Sequence, residues 1–314
     1  INTAASGSFT NSAAVFMRGI GNSDIDSTID PPIGIFIDGV YVPRSSNSNL
    51  DLFDVEQVEV LRGPQGTLFG RNTTAGAIVV RSKRPTGEFG AKARLTMGDY
   101  GRRDLRVAVE SPLSDTVNAK ISILQQKSDG FFKAKYQTHP DYSVPAQMGY
   151  EYDGDYEDTG GDDVFSVRPM LEFNPSETFK LTLIGEYSKD RSQPIPAINA
   201  SKPNQVLSRV YGRPGTGYQS NVILNFGPGY IHADIKGLTA EAIWELDGGT
   251  LTSITNYRET EYQMREEIDW TDAPMFGIVR TEPHEQKSTE LRYTTDVSDK
   301  LSLTAGFYYF EQEY

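Results

Sequence analysis

The sequence of 314 residues contains no cysteine, which excludes a disulfide scaffold, thiolate zinc sites, iron–sulfur clusters and a cysteine nucleophile. Basic residues are also scarce, with 30 lysines and arginines against 43 acidic residues and a formal net charge of −13. This charge argues against nucleic acid as the main partner, because binding by counterion release needs a basic surface. No stretch approaches the roughly 18 apolar residues of a membrane-spanning helix. This criterion does not detect membrane-spanning strands, in which apolar residues occupy every second position.

Patterns that carry catalytic or metal chemistry are missing as well. His139, His232 and His284 lie far apart, and neither Gly-x-Ser-x-Gly nor His-Glu-x-x-His occurs. The acidic run 153–158 lacks the glycine and glutamate spacing of a calcium loop. The glycine-rich runs 63–76 and 212–217 lack the features of phosphate-binding and dinucleotide-binding loops. We therefore expect no enzymatic activity, no catalytic residue, no bound metal and no cofactor.

The first part of the chain is rich in short apolar runs and tight turns. Asp38-Gly39 separates the apolar runs 33–37 and 40–42, and such a dipeptide favours a two-residue hairpin because both turn positions need positive φ. Another strand is predicted over 55–61, before a glycine-rich turn. The composition changes near Pro85, which predicts domains at 1–84 and 85–314.

Long alternating runs of apolar and polar residues dominate the second part. At roughly 10–13 residues they exceed the usual strand of about 5–6 and are long enough to cross a bilayer. Short turns alternate with long loops, as in outer-membrane barrels, and a soluble all-β protein is the alternative. Tyr187, Tyr257, Tyr262 and the aromatic residues at 308–310 are expected to form an interfacial girdle. The nine predicted strands are about 88–98, 102–111, 116–128, 162–173, 178–190, 236–246, 250–264, 284–297 and 301–312.

Three motifs in the first part occur in a characteristic order. They are Arg-Gly-Ile-Gly at 18–21, Ile-Asp-Gly-Val-Tyr at 37–41, and Val-Glu-Val-Leu-Arg-Gly-Pro-Gln-Gly-Thr-Leu-Phe-Gly-Arg-Asn at 58–72, continued to Lys-Arg-Pro at 83–85. This segment closely resembles the plug of TonB-dependent outer-membrane receptors. The resemblance implies an all-β dominated chain, with a small mixed α/β plug followed by antiparallel transmembrane β-barrel strands. Barrels of this family have roughly 22 strands, so we expect about 13 more beyond Tyr314, and a plug start and TonB box before Ile1.

The same resemblance implies active transport of a scarce, large nutrient across the bacterial outer membrane. Its partners would be the extracellular nutrient, outer-membrane lipid, and TonB of the inner-membrane TonB–ExbB–ExbD complex, with no nucleic acid. A ferric siderophore is the first expectation for the cargo; oligosaccharide, cobalamin and another metal chelate stay open. A passive porin and a soluble glycan-binding β-protein are the remaining alternatives.

The resemblance also assigns roles to particular residues. Arg18 and Arg62 are expected to be paired plug arginines that meet two barrel glutamates, which we expect beyond Tyr314. The plug apices map onto 21–28 and 44–49, which are polar and rich in turn residues, as ligand-contacting loops should be. For both sets the alternative is an ordinary solvent-exposed residue. The candidate ligand contacts are Asn22, Ser23, Asp24, Arg44, Ser45, Ser46 and Asn47.

Overall fold

The computed structural model describes most of the chain in separate ranges. These ranges are 2–5, 13–22, 30–43, 54–135, 158–194, 202, 205, 222–224, 229–267 and 277–314. A first, three-stranded sheet has the order β1-β2-β3. Its strands are β1 (Asn2–Ala5), β2 (Ala13–Met17) and β3 (Ile20–Gly21).

A four-stranded mixed sheet follows, in the order β5-β4-β7-β6. Its elements are β4 (Ile33–Ile37), β5 (Val40–Val42), β6 (Val55–Arg62), the short helix α1 (Gly66–Phe69) and β7 (Gly76–Ser82). Strands β4 and β7 pair in parallel, whereas β4–β5 and β6–β7 are antiparallel. The predicted hairpin at Asp38-Gly39 is confirmed, since Ile37 pairs with Val40 and both turn residues have positive φ. Within the described residues, no helix is long and apolar enough to cross a membrane.

The second part of the chain forms a nine-stranded, fully antiparallel sheet in which sequential strands are neighbours, from β8 at one edge to β18 at the other. All nine predicted strands are confirmed. They are β8 (Gly90–Met97), β9 (Arg103–Ser114), β10 (Val117–Lys127), β12 (Asp163–Ser176), β13 (Phe179–Asp190), β15 (Tyr230–Leu246), β16 (Gly249–Glu267), β17 (Gly277–Ser298) and β18 (Leu301–Glu313). Two short strands, β11 (Lys133–Lys135) and β14 (Val222–Leu224), pair in parallel outside this sheet.

Three strands are longer than their sequence patterns predict. β15, β16 and β17 have 17, 19 and 22 residues, and their extra residues lie at the ends away from the short turns. Parts of the predicted loops 191–235 and 265–283 are therefore strand. The extra end of β15 buries Ile231, Ala233 and Ile235 on one face, and Ile231 and Ala233 pack there with Tyr262 and Met264 of β16.

The nine-stranded sheet has an inverted distribution of polarity. On β13, Thr182 is only 1% exposed whereas the neighbouring Leu183 is 36% exposed. On β16, Asn256 and Arg258 are buried whereas Tyr257 between them is exposed. Polar side chains thus face the inside of the curved sheet and apolar ones face outward, which is the pattern of a membrane-spanning barrel.

Three members of the predicted aromatic girdle are on the wrong face: Tyr262, Tyr308 and Phe310. Phe310 packs against the plug cluster that contains Tyr41, and Tyr308 stacks on Phe310 from the same face of β18. Tyr187, Tyr257 and Tyr309 are exposed, as the prediction requires. Tyr262 is only 3% exposed and packs in a cluster with Ile231 and other buried residues, so its assignment to the girdle was wrong. It has the same parity along β16 as the buried Asn256, and parity decides the face of a strand on which a side chain lies.

Candidate functional site: the plug–wall interface

The four-stranded sheet β5-β4-β7-β6, here called the plug sheet, packs against the nine-stranded sheet, here called the wall. Asp38 lies at the tip of the β4–β5 hairpin with its side chain 2% exposed. Its carboxylate accepts hydrogen bonds from the backbone N–H of Ser82 at 2.9 Å and from the Ser82 hydroxyl at 2.8 Å. The guanidinium of Arg168, on wall strand β12, also donates to this carboxylate. One turn aspartate thus joins two plug strands to the wall.

A second arginine extends this contact into a chain of four charges. Arg84 follows the plug sheet in sequence, and its Nη2 lies 3.7 Å from Asp38 Oδ1. The same nitrogen pairs with the carboxylate of Glu241 on wall strand β15. The order Arg168–Asp38–Arg84–Glu241 has no net charge, and its carboxylate at the centre is nearly dry. Buried ion pairs of this kind need complete partners, because an unpaired buried charge is costly.

Asp54 makes a separate polar contact with wall strand β10. Its Oδ1 lies 2.7 Å from Nζ of Lys120, and the Ser122 hydroxyl donates to its Oδ2. The Lys120 ammonium also donates to the backbone oxygen of Lys83 at 2.9 Å, and its side chain is only 3% exposed. A lysine this deeply buried is held by its acceptors, which lie on the plug side.

A cavity of about 140 Å³ lies between these two contacts. Cations, carboxylates and hydroxyl groups line it together with aliphatic side chains. Arg168 Nε is buried and has no acceptor among the described residues. The polar lining residues are Asp54, Ser82, Arg106, Lys120, Ser122, Ser166, Arg168, Glu186 and Ser188.

The opposite side of the plug sheet meets the wall through aromatic contacts. The rings of Tyr41 and of Phe310, on β18, are 6.0 Å apart in an edge-on arrangement. The guanidinium carbon of Arg71 lies 4.6 Å from the centre of the Phe310 ring. Gln286 on β17 is fully buried and donates a hydrogen bond of 2.9 Å to the Tyr41 carbonyl. A Cβ on Gly39 would come within 2.6 Å of the Ile254 side chain, so the hairpin tip needs glycine for close approach as well as for φ.

Asp162 lies just before β12, outside the strands that cross the membrane, and its side chain is half-buried. Its backbone N–H donates to the Ser128 hydroxyl at 3.0 Å. Burial raises the pKa of the Asp162 carboxyl, and the nearby Arg102 guanidinium and the Ser128 hydroxyl oppose that effect. Within the described parts of the chain, no three His, Asp or Glu side chains are arranged to hold a metal ion.

The predicted interlock arginines are both described and both exposed. Arg18 occupies the β2–β3 turn with φ of 52°, and Arg62 ends β6 opposite Gly76. Met17, directly before Arg18, packs against Gly76, since a Cβ there would lie 2.6 Å from the methionine sulfur. The two arginines therefore flank one contact. Neither forms an ion pair with a described residue, and their interlock role stays a prediction.

The predicted ligand contacts at the plug apices are described at one position. Asn22 follows β3 and is half-buried. The other six predicted contacts lie outside the described residues: Ser23, Asp24, Arg44, Ser45, Ser46 and Asn47. Sequence reasoning missed Asp38, Lys120 and Arg168, because the turn signal at Asp38 explained that residue completely and wall residues have no motif of their own.

The plug sheet packs against antiparallel strands whose outer face is apolar. This arrangement is that of the outer-membrane plug-and-barrel proteins. Residues 1–77 match the family described as TonB-dependent Receptor Plug Domain. The catecholate siderophore receptor Fiu of Escherichia coli K12 is 32% identical over 122 residues, which is 39% of this chain and 15% of that receptor. The ferrioxamine B receptor of Salmonella typhimurium LT2 is 27% identical over 124 residues, 38% of this chain and 17% of that receptor.

A solved structure extends the likeness to the wall. The ferric yersiniabactin uptake receptor FyuA from Yersinia pestis superimposes with a TM-score of 0.74 over 98% of this chain and 43% of that chain, at 17% identity. At this identity the likeness concerns the fold. Residues 1–77 therefore match the plug domain of TonB-dependent receptors, and the chain as a whole is similar in fold to a receptor of the bacterial outer membrane. It spans less than half the length of the relatives it matches.

Proposed function

We propose that the protein imports a scarce, large nutrient across the bacterial outer membrane and that TonB of the TonB–ExbB–ExbD complex drives this import. The observation that carries the proposal is the seating of the plug sheet against the wall. Its polar contacts, centred on Asp38 and Asp54, are few, and water can replace them. They therefore hold the plug in place while keeping the free-energy cost of its displacement modest. A passive porin has no use for such an element.

The proposed cargo is a ferric siderophore. The names of the relatives support this choice, since Fiu is a catecholate siderophore receptor and FyuA a ferric yersiniabactin uptake receptor. The proposed division of labour places ligand capture and sealing in residues 1–84 and membrane spanning in residues 85–314. The break between β7, which ends at Ser82, and β8, which begins at Gly90, supports that boundary.

Uptake by a strain that lacks the receptor gene tests the proposal. Cells with and without the gene, and with and without TonB, receive radiolabelled ferric catecholate, ferric hydroxamate, cobalamin or oligosaccharide. We expect accumulation of one ferric chelate only when both the receptor and TonB are present. Uptake that needs the receptor but not TonB would indicate a passive porin, and receptor-dependent uptake of oligosaccharide or cobalamin alone would overturn the proposed cargo.

A further inference from the structure

The contacts between the plug sheet and the wall differ in kind on its two sides. Toward β10, β12 and β15 they are ion pairs and hydroxyl hydrogen bonds, here called the polar seam: Asp38, Asp54, Arg84, Lys120, Ser122, Arg168 and Glu241. Toward β16, β17 and β18 they are ring contacts, close apolar packing and one buried hydrogen bond from Gln286, here called the aromatic seam: Gly39, Tyr41, Arg71, Ile254, Gln286 and Phe310.

The two seams respond differently when water enters. Water can take over the hydrogen bonds of a carboxylate or an ammonium group, so separating an ion pair in the presence of water costs little net free energy. Water cannot replace the contacts of a buried ring, and the exposed apolar surface adds its own free-energy penalty. Under the same displacement, the polar seam is therefore the weaker one.

The cavity lies on the polar side and already separates the plug sheet from the wall there. Arg168 and Ser82 line it and take part in the Asp38 contact, whereas Lys120 and Ser122 line it and hold Asp54. Opening either contact therefore enlarges the cavity. Arg106, Lys120 and Arg168 then face that space from the wall, along with the hydroxyl groups of Ser122, Ser166 and Ser188. Among the described residues, Glu186 is the one carboxylate on the wall side of this lining, so its cations outnumber its anions.

We propose that the plug separates from the wall at the polar seam during transport, while the aromatic seam stays closed as a hinge. The cargo then passes along strands β9 to β13, beside Arg106, Lys120 and Arg168. This lining suits an anionic, hydrogen-bonding chelate. The inference rests on the proposed function and adds to it the side of the barrel on which passage occurs.

Cross-linking tests the side directly, since these 314 residues contain no cysteine and introduced thiols are unique within them. One variant combines Asp54→Cys with Ser122→Cys across the polar seam, and its matched control combines Tyr41→Cys with Phe310→Cys across the aromatic seam. Cells that carry either variant are treated with a short cross-linker that has two thiol-reactive ends and can be cleaved by a reductant. Binding and uptake of the ferric catecholate are then measured. We expect the polar cross-link to reduce uptake at least tenfold relative to the same variant without the cross-linker, with ligand binding unchanged. Cleavage by reductant should restore uptake. The aromatic cross-link should leave uptake within twofold of its uncross-linked form.

Thiol labelling reads the same opening without measuring uptake. Ser166→Cys lies in the cavity lining, and Ser288→Cys is a matched change on β17, opposite Phe310 in the ladder. With a water-soluble maleimide and ferric catecholate present, we expect TonB to accelerate labelling at Ser166→Cys several-fold and to leave Ser288→Cys unchanged. Equal acceleration at both sites, or acceleration at Ser288→Cys alone, would overturn the inference. TonB-dependent labelling without uptake of any ferric chelate would instead overturn only the proposed cargo.

Discussion

Asp38 and Arg168 form an ion pair although 130 residues separate them in the sequence. Asp38 belongs to a hairpin turn and Arg168 to a wall strand, so the pair fixes the orientation of the plug sheet within the barrel. Because the Asp38 side chain is 2% exposed, its negative charge interacts with its partners and contributes little to solubility.

Replacing Asp38→Asn should loosen the plug. The change keeps the shape of the side chain but leaves Arg168 and Arg84 without the carboxylate they share, a loss of about 3 kcal/mol for a buried pair. Denaturant titration of the purified receptor measures this loss. The control is Asp115→Asn in an exposed turn, and equal stability of the two variants would contradict the assigned role.

Lys120→Met should weaken the second polar contact. The substitution preserves the volume of the side chain but removes its ion pair with Asp54 and its hydrogen bond to the Lys83 carbonyl, about 2 kcal/mol in total. Faster proteolysis of residues 1–84 in the intact receptor measures the effect. Lys180→Met is the control, because that half-exposed lysine lies 3.7 Å from Glu172 and its ion pair contributes less than about 1 kcal/mol.

Phe310→Ala should destabilise the aromatic contact by about 2 kcal/mol, roughly half the value for a fully buried phenylalanine. The change removes the ring that contacts Tyr41 and the Arg71 guanidinium. Phe307→Ala on the same strand removes an equal ring that is 63% exposed on the outer face. A loss of plug stability in Phe307→Ala as large as in Phe310→Ala would show that the effect comes from the strand and not from the contact.

Arg18→Ala with Arg62→Ala should release the plug if the two arginines meet barrel glutamates. The expected result is faster entry of a bulky antibiotic that intact outer membranes exclude, measured as a lowered inhibitory concentration. A double variant of two other exposed arginines, Arg81→Ala with Arg103→Ala, is the control. Antibiotic entry no faster than in the wild type would remove the interlock role.

Asp162→Asn should change the dependence of stability on pH. The folded state raises the pKa of this carboxyl above its ordinary value of 3.8, so it binds more protons than the unfolded state between those two values. Stability from this group is therefore complete below pH 3.8 and decreases as the pH rises through the raised pKa. The variant should lose that slope in a series of melting temperatures, and an unchanged slope would assign it to other groups.

The sequence predicted the elements of this fold better than their contacts. Alternation located all nine wall strands, because a lipid-facing row of apolar residues such as Leu183 repeats with the period of a strand. It missed the outer ends of β15, β16 and β17, which were predicted to be loop. It also misplaced Tyr262, Tyr308 and Phe310, because an aromatic residue near a strand end does not reveal the face on which it lies.

The contacts between the plug sheet and the wall could not be read in advance. Asp38 already had a sufficient local role as a turn residue, and no local pattern distinguishes Arg168 from other polar residues on the inner face. Long-range pairing depends on the register of strands that are far apart in sequence, and no short window of the sequence determines that register.

The long strands β15, β16 and β17 give one flank of the outer mouth a preformed framework. A backbone already fixed by ladder hydrogen bonds loses little freedom when a ligand arrives, whereas an irregular segment must be ordered at the expense of affinity. If the proposed ligand contacts this flank, binding there should cost less conformational entropy than binding to an irregular segment, so selection between chelates of similar charge should depend on their shape.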